Sequence, residues 1–198
     1  MKVLLIYAHP DNESLHFGIY RKVYEGLFDA GHKVDKLNLY DHKLDFKREN
    51  QKKDALIENI QKKLMESDGL IFIYPVWWYG MPAILKNLID RVFEKDFAFT
   101  SETKKVKIPL IKKEINTNKK TGMLSHIKKV LVINTADSNK FIRTFKYRDN
   151  SFSSLKNGVL KVVGVKKIAN KVFTPINNLS DDQSAKILDE SYRLGKEF

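Results

Sequence analysis

Leu70-Ile71-Phe72-Ile73-Tyr74-Pro75-Val76-Trp77-Trp78-Tyr79-Gly80-Met81-Pro82-Ala83, continued through Ile84 to Phe93, is the stretch on which the reading of this chain turns. Leu70 to Tyr74 is an unbroken apolar run, the pattern of a strand buried on both faces. Pro75 lacks an amide hydrogen and closes the strand. Gly80 permits a tight turn, and Pro82 suits a first helical residue. From Ala83 the apolar residues Leu85, Leu88, Ile89, Val92 and Phe93 recur at helical spacing. Val76 to Tyr79 therefore form a short loop at the carboxyl end of a central strand, where open α/β sheets bind ligands. Two tryptophans and a tyrosine there have two explanations: a hydrophobic plug beneath the loop, or a wall for a flat aromatic ligand.

Outward from this unit the same alternation repeats. Lys2 to Ala8 reads as a buried strand, followed by the turn-rich His9-Pro10-Asp11-Asn12-Glu13-Ser14 and a helix whose apolar face is Tyr20, Val23, Tyr24, Leu27 and Phe28, ended by Gly31. Lys33 to Leu39 is a second strand. A helix is expected from about Lys52, with Leu56, Ile57, Ile60 and Leu64 on one side. Val130 to Asn134 is a fourth strand. Phe152 to Val163 has helical spacing, Val165 to Thr174 suits a fifth strand, and Ser180 with Gln183 forms a capping box before a last helix. The fold class is therefore α/β: a five-stranded parallel sheet with helices on both faces, in the flavodoxin-like rather than the six-stranded order. The expected organisation is one domain over residues 1–198 with a lysine-rich insertion at about 101–128, read as a solvated surface loop with Thr117 to Gly122 at its tip.

The 198 residues carry a net charge of +12 and no cysteine. Disulfides, thiolate metal sites and a thiol nucleophile are excluded. The opening apolar run is too short for a signal peptide or a membrane span, so the expectation is a soluble, cytoplasmic chain with no membrane insertion. Much of the charge excess lies between Ser101 and Lys129, which hold nine lysines and two acids. That segment leaves peripheral docking open. Arg143 to Arg148 interleaves basic and aromatic residues, but no nucleic-acid recognition module accompanies it, and no nucleic-acid partner is expected.

Three carboxyl-end loops are the candidate site: His9 to His16, Pro75 to Tyr79, and Thr135 to Ser138. The first lacks a dinucleotide glycine fingerprint and a Walker pattern. It offers Ser14 at a helix start, with His9 and His16 nearby, which suits an anion at a helix N-terminus. Ser14 also suits a simple cap of its own helix. Pro10 argues against His9 and His16 as a metal pair.

Ala8 to Ser14, and above all Pro75 to Lys86, resemble the NAD(P)H:quinone oxidoreductases of flavodoxin-like fold, as does Phe93 to Phe99. The resemblance covers most of residues 1 to 100 and resumes thinly at Gly122 to Leu124 and Val130 to Thr135. It implies two-electron transfer from NAD(P)H through a bound flavin to a quinone or similar small acceptor, in a homodimer with sites at the subunit interface. FMN is expected, with FAD the alternative. Carried over by position, His9, Ser14, Leu15 and His16 surround the flavin phosphate. Pro75, Val76, Trp77, Trp78 and Tyr79 line the ring, and Thr135 opens the third loop. There the chain departs from the family: Thr135-Ala136-Asp137 stands where glycines are usual. An inward Asp137 would disfavour a reduced, anionic flavin. A second reading is a flavin-binding ancillary subunit of a membrane transport system with slow turnover.

Overall fold

The computed structural model describes every residue except 43, 45–53, 109–112, 139, 140 and 147. In chain order the main elements are β1 (Lys2–Tyr7), α1 (Leu15–Asp29), β2 (Lys33–Asn38), α2 (Ala55–Glu66), β3 (Gly69–Pro75), α3 (Ala83–Val92), β4 (Phe99–Ile108), β5 (Lys113–Gly122), β6 (Lys129–Thr135), α4 (Asn150–Ser153), β7 (Ile168–Phe173) and α5 (Asp181–Lys196). Strands β2-β1-β3-β6-β7 form one sheet, every pairing parallel. This is the flavodoxin-like order expected from the sequence, with the chain reversing direction across the sheet between β1 and β3.

The strand period of two sorts the core into two layers. Val3, Leu5, Tyr7, Ile71, Ile73, Leu131 and Ile133 face one way and pack on Ile19, Val23 and Leu27 of α1. Leu4, Ile6, Leu70, Phe72, Val130 and Val132 face the other way, against Ile57, Ile60 and Leu64 of α2, Leu85 and Leu88 of α3, and Leu155 and Leu160. Every residue of β3 is buried, as a central strand requires.

Local signals explain the ends. Ser14 caps α1, accepting from the Phe17 amide, and Gly31 past its end takes φ +74, the left-handed conformation a helix terminus favours. Asp54 caps α2 through the Leu56 amide and pairs with Arg91 of α3 at 3.0 Å, tying neighbouring helices together. The Ser180–Gln183 capping box opens α5. The expected start of α2 near Lys52 lies outside the described residues.

Three readings are corrected. First, the lysine-rich segment holds a two-stranded antiparallel ribbon, with Phe99 opposite Gly122 and Ile108 opposite Lys113. Thr117 to Gly122 is thus the ribbon's base, not its tip. The register sets Glu102 opposite Lys119, a cross-strand pair of opposite charge that suits a strand pair better than a loop. Second, Pro82 is the cap of α3, one residue before the helix. Third, the fourth helical region is only briefly α: α4 passes into a π-helical segment at Ser154–Leu160, and another lies at Ile142–Lys146.

Helices α1 and α5 touch backbone to backbone through two glycines. A Cβ on Gly26 would sit 2.1 Å from the Tyr192 carbonyl oxygen, and one on Gly195 would sit 2.2 Å from that of Val23. Backbone cannot step aside as a flexible side chain can, so Gly26→Ala and Gly195→Ala are each expected to cost about 1–3 kcal/mol or more. Gly158→Ala, whose Cβ meets nothing within 4 Å, is the control. Urea midpoints of the three variants test this; a wild-type midpoint for Gly26→Ala refutes the close contact.

Candidate functional site

The carboxyl ends of β1, β3 and β6 meet at one edge of the sheet. At the end of β1 the chain folds around the Asp11 carbonyl. It accepts from the Ser14 hydroxyl at 2.7 Å and from the Tyr7 hydroxyl at 3.3 Å. Burial pushes the Tyr7 phenol up to about 12, so it remains a donor. The Asp11 amide donates to His9 Nδ1 at 3.1 Å. A neutral His9 therefore carries its proton on Nε2, which is left to donate elsewhere. Ser14 does cap its helix, as the simpler reading held, and it also lies 3.2 Å from His9 Nδ1. The amides of Leu15 and His16 head α1 with no preceding turn to accept from them. The first turn carries no acidic residue, so the positive end of the helix dipole is not neutralised from within.

His16 joins the three strand ends. Its ring is buried and stacks on His9 at 4.7 Å between centroids, 11° from parallel. Nε2 lies 2.6 Å from the Thr135 hydroxyl at the end of β6. The ring also bonds the backbone of Tyr74 near the end of β3, an interaction that favours the protonated form and so marks the carbonyl as its acceptor. Burial, and after it the neighbouring His9, nonetheless lowers His16 to about 3. It is a neutral imidazole that donates one hydrogen bond to a carbonyl and shares another with a hydroxyl. That is a structural tie, not a metal ligand. Among the described residues no three His, Asp or Glu side chains gather as a metal site.

The β3 loop is a closed turn. Trp77 and Gly80 exchange backbone hydrogen bonds of 3.0 and 2.9 Å, with Trp78 at φ 50 and Tyr79 at φ 59 between them. This is the left-handed pair of a tight hairpin turn, carried by aromatic residues rather than by Gly80 as the sequence suggested. Bulky residues there are strained, and such strain gathers at working sites. Trp78 is 99% exposed and Trp77 43%, so Trp78 plugs nothing. Trp77 stands 6.2 Å from the His9 ring. Pro75 is buried in the strand end, and the Val76 amide donates to the Thr135 carbonyl at 2.8 Å, joining this loop to the third.

In the third loop Thr135 and Ala136 are buried, and the Ala136 amide is held by the Phe173 carbonyl of β7. Asp137 is exposed. Leu15 packs partly against the α1-side core. Tyr74 and Ser151 were not singled out from the sequence, yet the Ser151 hydroxyl donates to that of Tyr74 at 3.4 Å, pinning the start of α4 under this edge. Burial holds the Tyr74 phenol above its ordinary range. The legible signal was a tyrosine at the carboxyl end of an otherwise apolar run, in β3 as in β1.

The depressed His16 gives a pH dependence of known sign. Between pH 6.5 and about 3 the unfolded chain binds a proton at His16 that the folded chain refuses. Stability is present above the unfolded value and falls as pH drops through that window, by up to about 1.4 kcal/mol per pH unit from this group. Urea denaturation at stepped pH tests it, with His16→Gln expected to flatten the slope. An imidazole resonance of His16 titrating near its ordinary value sinks the assignment.

Known proteins are similar to this chain in sequence and fold. The chain is 35% identical over 121 residues to the ribosyldihydronicotinamide dehydrogenase-like protein traD of Penicillium crustosum, covering 49% of this chain and 45% of that protein. It is 31% identical over 123 residues to ribosyldihydronicotinamide dehydrogenase [quinone] of Mus musculus, covering 50% and 53%. The chain thus spans about half the length of these curated relatives. The crystal structure of Smu.1420 from Streptococcus mutans superposes over all of both chains with a TM-score of 0.83 at 29% identity. The sequence profile of the flavodoxin-like fold matches residues 1–194, and the chain belongs to that family.

Proposed function

We propose that this protein is a flavin-dependent NAD(P)H oxidoreductase of the quinone-reductase kind, with FMN as cofactor and a quinone-like small molecule as acceptor. The observation that carries the reading is the exposed Trp77–Trp78 turn set beside the head of α1 and tied to it through His16 and Thr135. A flat aromatic group with a phosphate tail matches an uncovered aromatic wall next to a helix N-terminus. The names of the two curated relatives, one of them a quinone reductase, point the same way.

When bound, a flavin supplies reversible two-electron hydride chemistry. The protein supplies position and electrostatics. In this reading Ser14, the Leu15 and His16 amides and His9 Nε2 hold the phosphate. Pro75, Val76, Trp77, Trp78 and Tyr79 form the ring wall, and the turn's two left-handed residues fix the wall's angle before any ligand arrives. Thr135 and Ala136 give the ring's far edge a backbone held by β7. Asp137, being exposed, leaves the departure from the family's glycines electrostatically milder than an inward carboxylate would be. We further propose a homodimer acting in the cytoplasm as one domain; among the described residues no helix is long and apolar enough to cross a membrane.

The deciding experiment is the visible spectrum of the purified protein, followed by NADPH under anaerobic conditions. Flavin bands that bleach, and return on adding a quinone, are expected. No flavin uptake after incubation with FMN or FAD overturns the reading. Trp78→Ala separates fold from function. As Trp78 is almost wholly exposed, the urea midpoint is expected to move by no more than about 0.5 kcal/mol. FMN affinity is expected to fall by roughly tenfold, the value of about one aromatic contact. Unchanged affinity removes Trp78 from the wall.

A further inference from the structure

We propose that the cleft between the start of β7 and the last turn of α5 binds a medium-chain apolar carboxylate, its tail on the cleft floor and its head between Lys129 and Lys167. The cleft lies at the amino ends of β6 and β7, across the sheet from Thr135 and Phe173, and does not rest on the function proposed above.

The cleft follows from how α5 is held. Gly26 and Gly195 bring the backbones of α1 and α5 together, which draws α5 toward α1 and off the start of the edge strand β7. The register sets Ala169 of β7 opposite Leu131 of β6, and a methyl group is too short to fill the space that remains. A cleft of ≈ 440 Å³ results, within the size range of small-molecule sites. Leu131, Ala169, Leu194 and Phe198 give it an apolar floor. Further along, Lys171 reaches Glu190 of α5 and spans the gap by an ion pair.

Charge selects the occupant. Strand side chains alternate, so Lys129 and Lys167 share a face with Leu131 and Ala169, two positions earlier on the same neighbouring strands. Both line the cleft. The Lys129 ammonium stands 4.4 Å from the centroid of the Phe198 ring, which fixes its place against an aromatic wall. Among the described residues neither ammonium is paired with a carboxylate. Asp68, beside the start of β6, is taken by Lys128 and the Lys2 amide. Glu197 stands exposed at the rim and pairs with neither lysine. Burial, and after it Lys167, lowers Lys129 below its ordinary value, the mark of a cation short of a counter-charge. A neutral ligand covers the floor and leaves that repulsion in place. A second copy seated here isologously sets lysine against lysine. A carboxylate relieves the repulsion while its chain removes the apolar floor from water.

Titration calorimetry of the full chain with decanoate, kept below micelle formation, tests this. Saturable binding of one decanoate per chain is expected, weakened by high salt. Decanol is expected to bind roughly tenfold more weakly or less, and decyltrimethylammonium not at all. Ala169→Trp fills the cleft from an exposed edge-strand position, and is expected to abolish decanoate binding at the wild-type melting temperature. Lys129→Met with Lys167→Met is expected to lower decanoate affinity by roughly tenfold or more and to leave that of decanol unchanged. A wild-type chain that takes up no decanoate overturns the proposal. So does a folded Ala169→Trp variant that binds undiminished, which puts the ligand elsewhere. Decanol bound as tightly as decanoate, or a double lysine variant with wild-type affinity, removes the lysines from recognition and overturns it as well. The double variant decides the matter where Ala169→Trp fails to fold. Calorimetry reads no flavin, so its outcome is separate from that of the absorption spectrum.

Discussion

A single buried imidazole holds the carboxyl edge of the sheet together. His16 takes the Thr135 hydroxyl on one side and bonds the Tyr74 backbone on the other, and its face lies on His9. Three segments far apart in sequence are thereby set in fixed relation: the head of α1, the end of β3 and the end of β6. A neutral imidazole suits this task because it both donates and accepts, so two polar strand ends are satisfied without a charge being buried. A lysine at this place would have only donors and would carry its desolvation cost unpaired. The tie also explains why the edge tolerates strain elsewhere. With its flanks fixed, the Trp77–Gly80 turn can hold two aromatic residues in a left-handed conformation that an unsupported loop would leave.

Beneath that edge the sheet is an ordinary product of alternation. Odd and even positions of β1, β3 and β6 feed opposite layers, and the central strand is buried throughout. The two layers are closed differently. On the α1–α5 side, Gly26 and Gly195 let helix backbones touch, so that side has little room to shift. The other side is finished by α4 and a π-helical segment, and there too a glycine lets backbones meet, since a Cβ on Gly122 would sit 2.2 Å from the Val163 carbonyl carbon.

The legibility of the sequence follows from this division. Strands whose burial is complete announce themselves as apolar runs, and β1, β3 and β6 were readable nearly to the residue. The three loops were readable as well, because chain reversal at Pro75 and Ser14 uses local chemistry. The ribbon was not. Its lysines hid a strand pairing that the register, with Glu102 opposite Lys119, makes plain. The turn at Trp78 and Tyr79 was placed correctly but for the wrong reason, since Gly80 is not the residue that adopts positive φ. His16 was read only as a neighbour of the anion site, not as a tie between strand ends. Its hydrogen bond to Thr135 spans 119 positions, a distance over which local pattern carries no information. Ser151 beneath Tyr74 was hidden for the same reason.

What the edge leaves outside matters as much as what it ties. Several polar groups there are bonded inward, the Thr135 hydroxyl with His16, the Asp11 carbonyl with Tyr7 and the Tyr74 hydroxyl with Ser151, which leaves the outward surface free of that task. That freedom lets Trp77, Trp78, Phe141, Ile142 and Phe145 stand exposed on one rim of a chain whose remaining surface is strongly basic. Trp78, Phe141 and Phe145 stay largely hydrated in the native state, so their exposure contributes little to folding. Exposed apolar side chains occur elsewhere too, at Phe28, Met65 and Met123, but five of them gather at this rim. The aromatic rim and the buried imidazole are in this sense one device: the second satisfies the backbone so that the first can be turned outward.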